Sequence, residues 1–343
     1  MLRKFTLVSL ASAVALTLSQ TAVAENMDNI RVHGFVNTAS SVSNSSTKYV
    51  ERIDSDGDVT ATDYGLNVMA IIDQNLTIAT QLHGTGLEGN AVALDWAFGR
   101  YKISDSIAAK AGRMKYTGNL ISEYVNVAYA YPWIRAPEAI YSESADLFFE
   151  SYNGAAAVFS TGDDTEYNAE IYGGEEIEEE GISHKQMMGL TLRAINDDYG
   201  ELKLAYNRSS LLTADDTQNG KTKTYLSIGG KADWNQWKLL TEYVRSNVEG
   251  VPVHDSYGAF LTVGYKIGHT MPHLTYQKFD KNTGVNQSSW TLGVRHNLGS
   301  STALKLEVQQ VTSEGGNNDG GLFESQPAES RVNIVSAAVN FVF

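Results

Sequence analysis

From about residue 30 to its end the chain alternates apolar and polar side chains with a period of two, in stretches of roughly ten residues broken by clusters of Gly, Asn, Asp and Ser. Tyr64, Leu66, Val68, Ala70 and Ile72 alternate with Asp63, Gly65, Asn67, Met69 and Ile71. The turn Asp73-Gln74-Asn75 leads into Leu76, Ile78, Thr80 and Leu82, which predicts a hairpin. Val92, Leu94, Trp96 and Phe98, a turn at Ser104-Asp105-Ser106, and Ile107, Ala109 and Ala111 predict a second. The alternation continues through Leu202-Leu204-Tyr206, Leu226-Ile228, Trp237-Leu239-Thr241-Tyr243, Tyr257-Ala259-Leu261-Val263-Tyr265, Leu274-Tyr276, Trp290-Leu292-Val294 and Leu304-Leu306-Val308. No long segment has the 3.6-residue period of an amphipathic helix.

The connections alternate in length. Short ones fall at 73–75, 104–106, 161–164, 196–200, 233–236, 268–271 and 298–302, and long ones at about 41–62, 86–91, 117–143, 174–185, 211–222, 247–256, 280–288 and 312–331. Seven short and eight long connections join sixteen strands and put both ends of the chain on the short side. This is the layout of an all-β transmembrane antiparallel β-barrel with short periplasmic turns and long external loops. Strands 6 and 7, at about 145–173, are the least regular. Tyr257 and Tyr265 share the outward phase eight residues apart. At ~3.3 Å per residue and a tilt near 40° they sit roughly 20 Å apart along the membrane normal, which fits an aromatic belt at each interface of an apolar band. Trp237 and Tyr243 repeat the arrangement on the neighbouring strand.

The first 24 residues lie outside this pattern. Arg3 and Lys4, an apolar run from Leu7 to Leu18 and Ala22-Val23-Ala24 before Glu25 read as a cleaved secretory signal, with residues 25–343 as the exported protein. No apolar run in that protein approaches the ~18 residues of a membrane helix.

Composition narrows the function classes. With 26 basic against 40 acidic side chains the formal charge is −14, or −16 once Arg3 and Lys4 are removed, which excludes a nucleic-acid binder. There is no Cys, hence no disulfide framework and no thiolate chemistry. The charge is unevenly distributed. The lumen-facing phase, taken as the complement of the apolar phase, holds Arg31, Lys110, Arg193, Lys203, Lys231, Lys238, Lys266, Arg295 and Lys305. Its acids are Asp95, Glu150, Glu166, Glu170, Glu201, Glu242 and Glu307. The wall therefore leans basic, and the surplus acid lies in the loops, as in Glu175-Glu176-Ile177-Glu178-Glu179-Glu180.

The most specific motif is the last. Val335, Ala337, Val339, Phe341 and Phe343 alternate with smaller or polar residues and the chain ends on an aromatic ring. This resembles the C-terminal assembly signal of Gram-negative outer-membrane barrels, here carried by Val339, Phe341 and Phe343. The whole mature chain resembles the trimeric 16-stranded porins. The resemblance implies outer-membrane localisation, a water-filled channel for passive diffusion of small hydrophilic solutes, a homotrimer, contact with outer-membrane lipid and lipopolysaccharide, and delivery to the barrel assembly machinery through the last strand. The segment 117–143 is rich in Tyr, Trp and aliphatic residues and poorly suited to water. In porins the third external loop folds into the barrel and narrows it. The stretch from Gly112-Arg113-Met114-Lys115 to Pro132-Trp133-Ile134-Arg135-Ala136-Pro137-Glu138 is similar to porins of the anion or dicarboxylate type. The acidic PEFGG-type loop signature of enterobacterial general porins is absent.

On this reading Arg113, Lys115 and Arg135 face the constriction and attract anions, with Glu123 and Glu138 as the opposing acidic side. The alternative is that these charges only hold the loop to the wall. The small-residue strand Gly154-Ala155-Ala156-Ala157-Val158 and the region of Gly34 are candidate trimer contacts. No cofactor or metal site is expected. Asp54-Ser55-Asp56-Gly57-Asp58 lacks the closing Glu of a calcium loop, and the seven His show no metal spacing. Two competing classes remain: a barrel with a plugged lumen acting as a structural or adhesive protein, and a barrel hydrolase built on Asp215-Asp216 and His254.

Overall fold

The computed structural model describes residues 29–86, 89–177, 182–314 and 320–343. The predicted signal at 1–24 and the acidic residues Glu178, Glu179 and Glu180 lie outside the described residues. Sixteen strands form one closed antiparallel barrel in which each pairs with its sequence neighbours and the first pairs with the last. They are β1 (Ile30–Ser43), β2 (Asp58–Ile71), β3 (Leu76–Thr85), β4 (Val92–Lys102), β5 (Ile107–Lys115), β6 (Ser151–Thr161), β7 (Thr165–Ile177) and β8 (Ile182–Asn196) in the first half. The second half comprises β9 (Gly200–Thr213), β10 (Thr222–Trp234), β11 (Trp237–Val248), β12 (Ser256–Tyr265), β13 (Thr270–Lys281), β14 (Val285–Asn297), β15 (Thr302–Glu314) and β16 (Arg331–Val342).

All seven short turns fall where the alternation places them, and 16 strands result. Two connections expected to be long are short, because the strands that flank them run past the apolar band: β13 and β14 leave only 282–284 between them, and β7 and β8 leave 178–181. The irregular region resolves into β6 and β7, and Glu150, expected on the wall, precedes β6.

The outward phase is apolar along its length, for example Leu202, Leu204 and Tyr206 on β9 and Leu304, Leu306 and Val308 on β15, all exposed on the barrel's outer face. Trp237 meets Tyr265 edge-on at 4.8 Å between ring centres near one end of β11 and β12, and Tyr243 meets Tyr257 at 6.0 Å near the other. Two belts separated by aliphatic residues result. One expectation fails on β4. A bulge opposite Gln81 and Leu82 adds Asp95 to the strand, so Val92 and Leu94 remain outside while the phase flips beyond them. Phe98 consequently packs on the cluster inside the barrel rather than facing outward.

Closure joins β1 to β16 from Phe35↔Val342 to Ser43↔Ile334. The last residue takes part: Gly34 and Phe343 exchange two backbone hydrogen bonds of 3.0 Å. The Phe343 ring lies over Gly34 so closely that a Cβ there would sit 2.2 Å from it. Gly34, expected as a trimer contact, is thus covered by the chain's own terminal ring. An aromatic ring over a strand glycine compensates for its missing side chain and pins the register. Gly34→Val should therefore displace the Phe343 ring and slow barrel formation, read as slower appearance of the heat-modifiable folded band during refolding into detergent micelles. Refolding at the wild-type rate would remove this role from the contact.

Candidate functional site

The segment between β5 and β6, residues 116–150, carries little regular structure beyond short single turns and the four-residue helix α1 (Glu138–Tyr141). It must therefore satisfy its polar groups elsewhere, and it does so on the inward-facing side chains of the wall. The Leu120 N–H donates to Glu242 Oε1 (2.9 Å) and the Ile134 N–H to Glu307 Oε1 (2.8 Å). Lys203 Nζ donates to the Asn119 carbonyl (2.9 Å), and Lys305 Nζ to the carbonyls of Ala128 (2.6 Å) and Trp133. Trp133 Nε1 donates to Thr262 and Thr275 on β12 and β13 (3.0 and 2.9 Å). Asn37 on β1 donates to the Asn126 carbonyl (2.8 Å), and Asn126 donates to Asp95 on β4 (3.3 Å). Contacts thus reach both the β8–β15 side and the β1–β4 side of the barrel.

Apolar side chains fill the space between. Leu120, Ile121, Trp133, Ile140, Leu147 and Phe149 are buried in one cluster inside the barrel. Residues from two other external connections join it: Tyr49 and Ile53 from 44–57, and Leu322 and Phe323 from 315–330. Tyr49 forms isolated bridges to Ile53 and Phe323 and packs on the Phe323 ring at 5.0 Å. Gly258 on β12 faces the Ala139 carbonyl, which a Cβ would approach to 2.0 Å, so α1 seats directly on the wall there.

The five charges predicted for a constriction all have partners. Arg135 Nε donates to Glu138 Oε1 (2.9 Å), its Nη1 to Ser41 and Ser336 (2.9 and 3.0 Å) and its Nη2 to Gln309 (3.2 Å). Glu138 Oε2 in turn accepts from Gln277 and Gln309 (2.8 and 3.3 Å). Arg135 and Glu138 were expected on opposite sides of the passage and instead form one ion pair on the same side, because α1 turns the carboxylate back toward the guanidinium three residues earlier. Burial works to lower the Arg135 pKa, but Glu138 and Glu307 outweigh it and hold it above its ordinary value. Glu123 pairs with Lys203 (3.2 Å) and Arg193 (3.3 Å). Burial works to raise its carboxyl, but these two cations hold it below the usual range. Lys115 pairs with Asp95 (2.7 Å) and approaches Glu150 (3.4 Å), while Arg113 Nε donates to the Asp95 carbonyl (2.9 Å).

The wall cations show an order the sequence reading did not extract. Arg31, Lys110, Arg193, Lys203, Lys231, Lys238, Arg295 and Lys305 all lie among the four residues of their strand nearest the short turns. Lys266, expected on the wall, falls just past Tyr265 in a turn, where it pairs with Asp233 (2.6 Å). Lys110 pairs with Glu170 (2.7 Å), Lys231 and Arg193 share Glu201, and Lys238 pairs with Asp233 (3.0 Å). Arg295 donates to the Tyr131 carbonyl (2.9 Å) and lies over the Tyr129 ring. Arg100 joins this end of the barrel. It was missed because the β4 bulge that reverses the phase leaves no mark in the apolar pattern.

Toward the long-loop end, a cavity of about 210 Å³ lies between 116–150 and the β1, β2 and β16 wall. Four carboxylates (Glu51, Asp63, Glu138 and Glu143) and two guanidiniums (Arg52 and Arg135) line it. Arg52 was also missed, although Tyr49 and Ile53 give 44–57 an apolar content unusual for an external loop, and that was the available signal. Of the residues considered for a hydrolase, Asp215 and His254 stand on two separate external connections, with His254 among the groups that favour the charged form of Asp215. Asp215 accepts hydrogen bonds from Thr217 and Gln218 within a tight turn.

Comparisons with known proteins agree with this architecture. The family model for Gram-negative porins matches residues 10–316. Among similar solved structures is the anion-selective porin from Comamonas acidovorans, 13% identical with a TM-score of 0.64, covering 92% of this chain and 99% of that one. Salmonella typhi OmpF in complex with daunomycin is 14% identical with a TM-score of 0.65, covering 92% and 98%. The trimer form of Vibrio cholerae OmpT is 14% identical with a TM-score of 0.58, covering 92% and 99%. No curated protein sequence matches the chain.

Arg135→Ala leaves Glu138 buried without its cation and releases three wall contacts. Breaking a buried pair from one side costs about 3 kcal/mol. A lower thermal unfolding midpoint of the folded barrel together with a larger single-channel conductance is the expected result, and Gly258→Val, which pushes α1 off the wall, should raise conductance as well. Unchanged conductance in both variants would separate the segment from the passage.

Proposed function

The chain belongs to the Gram-negative porins, an outer-membrane channel for passive diffusion of small hydrophilic solutes, and from that premise we propose that residues 116–150 set the width of its passage while the wall charges set its ion preference. The segment acts as a fixed ledge. Arg135, Glu123 and Glu138 hold it against the wall, Lys115 links Asp95 on β4 to Glu150 at its end, and Arg113 bonds the Asp95 carbonyl within the wall; the paired charges among them leave little net field of their own. Ion preference then comes from a lengthwise division of charge. Carboxylates outnumber guanidiniums in the cavity near the external loops, and eight strand-borne cations gather near the periplasmic turns. The position of those cations is the observation that carries the reading. An ion crossing the channel meets a cation-attracting outer part and an anion-attracting inner part, so the overall preference is weak and leans to anions only as far as the inner part governs.

Charges of opposite sign at the two ends of a pore make its current depend on the direction of the field. In planar bilayers with symmetrical KCl, the current–voltage curve of oriented channels should be asymmetric at ~0.1 M and become nearly symmetric at ~1 M, where the screening length falls from ~10 Å to ~3 Å. A symmetric curve at the lower salt would overturn the divided-charge reading. Absence of any stepwise opening would favour the plugged barrel instead, a reading for which the apolar cluster of the three loops is the specific support.

The homotrimer is part of the same proposal. On the outer face of β4, β5 and β6, Gly99, Ala111 and Ala155 lie side by side in register, and Ala109 lies beside Ala157. These small side chains leave a flat wall against which a second barrel can approach closely. Gly154, Ala156 and Val158, included in the expected contact, belong to the inward phase with the buried Tyr152. Ala155→Trp should convert a heat-resistant oligomer in unboiled gels to the monomer while each barrel keeps its heat-modifiable fold. An oligomer band that survives the substitution would place the contact elsewhere.

A further inference from the structure

The interior of the barrel is filled unevenly. Beside β6–β10 the rings of Tyr116, Tyr152, Tyr172 and Tyr225 pack with one another and with Phe149. Beside β13–β15, Tyr49, Leu322 and Phe323 join Phe279, Val285 and Val311 in the same cluster. The cavity of about 210 Å³ between 116–150 and the wall of β1, β2 and β16 stands on the other side, with the exposed Glu51 and Glu143 at its external edge. A solute that enters from outside meets it first.

Its charges fall into two groups. Arg135 and Glu138 are bound to each other and to the wall, whereas Arg52, Asp63 and Glu51 keep bonding capacity to spare. The Arg52 side chain is 17% exposed and its Nε meets Asp58 at 3.4 Å, while its two terminal nitrogens have no partner among the described residues. Asp63 stands opposite Asn37 on the inward face of β2 and makes no side-chain hydrogen bond or ion pair to a described residue. Glu51 accepts from Ser144 at 3.4 Å. Burial and the neighbouring Arg135 both disfavour the Arg52 charge, and Asp58, Asp63 and Glu138 offset them only in part, so its pKa lies below its ordinary value. A carboxylate brought to the free edge of this guanidinium relieves that repulsion and can accept two parallel N–H bonds.

Carboxylates outnumber guanidiniums two to one around the cavity, so a ligand that places one carboxylate on Arg52 must also bring positive charge to match the rest. Val50, Val125 and Ile134 lie between the charged groups and suit a short aliphatic chain. The volume falls below the ~300 Å³ at which sites for drug-sized ligands begin, so the occupant is small.

We infer that this cavity is a transit site for amino acids with a cationic side chain, the α-carboxylate held by Arg52 and the ammonium groups by Asp63 and Glu51. The site rests on the reading of residues 116–150 as the ledge that bounds the passage, since the ledge supplies one of its walls. The discriminating charges come from elsewhere, from the first external connection and from β2. A solute gripped at both ends dwells there, so its flux saturates with concentration.

The test uses the full folded protein in detergent micelles, with ligand-observed NMR reporting binding, and in planar bilayers, where a bound solute interrupts the single-channel current. Three probes serve: L-lysine, cadaverine, which keeps both ammonium groups and lacks the carboxylate, and L-glutamate. Wild type should bind lysine about tenfold more tightly than cadaverine, as loss of one charge-assisted contact implies, and glutamate more weakly than lysine. In Arg52→Gln the preference for lysine over cadaverine should vanish, because only lysine loses a partner. Asp63→Asn should weaken both. Heat-modifiable gel mobility reports folding, and the comparison of probes on wild type stands whether or not a variant folds. Equal binding of lysine and cadaverine to wild type, glutamate bound as tightly as lysine, or a lysine preference that survives Arg52→Gln in a folded barrel overturns the inference. Stepwise openings without lysine binding would keep the channel and remove the site. Lysine binding with the expected preference in a barrel that never opens would keep the site and remove the channel reading.

Discussion

A backbone polar group left unpaired in hydrocarbon costs several kcal/mol, and the molecule is arranged around avoiding that cost. Each strand pairs on both sides, and the one seam that closes the sheet joins β1 to β16. The seam uses the chain to its final residue: Phe343 exchanges backbone bonds with Gly34 and lays its ring over it. A terminal aromatic residue is therefore both the last link of the closed ladder and the cover for a glycine on the first strand. The aromatic belts and the apolar outer phase follow, because a closed barrel offers lipid one face only.

The same demand applies inside, where residues 116–150 leave the sheet and lose its hydrogen-bonding partners. The wall supplies replacements. Buried carboxylates on β11 and β15 accept from the segment's N–H groups, and lysines on β9 and β15 donate to its carbonyls. Charges that would have been costly to bury alone are thereby engaged on both sides. This explains why the inner wall is so heavily charged on the face that the segment covers. Arg135 and Glu138, which read most naturally as an ion filter, pair with each other and bond Ser41, Ser336, Gln277 and Gln309 of the wall.

Much of the fold was legible because strand alternation and turn chemistry are local. The seven short turns, the sixteen strands and the outward phase needed no knowledge of which strands met. Exceptions arose where a local signal is weak. One residue inserted at Asp95 reversed the phase of β4, sent Phe98 inward and brought Arg100 to the lumen side, and no feature of the apolar pattern marks a bulge. Likewise, the lengths of the connections after β7 and β13 were misjudged because those strands extend as polar hairpins beyond the apolar band. Arg52 went unnoticed because its loop was read as solvent-exposed, although Tyr49 and Ile53 bury it against Phe323.

The sequence by itself determined a closed antiparallel barrel, its orientation, the basic lean of the inner wall and the acidity of the outer loops, since period and charge are properties of each residue's own position in the chain. Only the tertiary structure decided which charges remain free. Arg135 is three residues from Glu138, yet it also meets Ser41, Ser336 and Gln309 from strands at both ends of the chain. Lys203 reaches Glu123 across eighty positions. Neutralisation depends on distances of a few ångströms between residues far apart in sequence, and those distances exist only once the barrel has closed and the segment has folded into it. Toward the short turns the closed fold leaves more cations than carboxylates on the inner wall, most of them engaged in pairs such as Lys110–Glu170, Lys231–Glu201 and Lys238–Asp233, and that surplus is what ions meet.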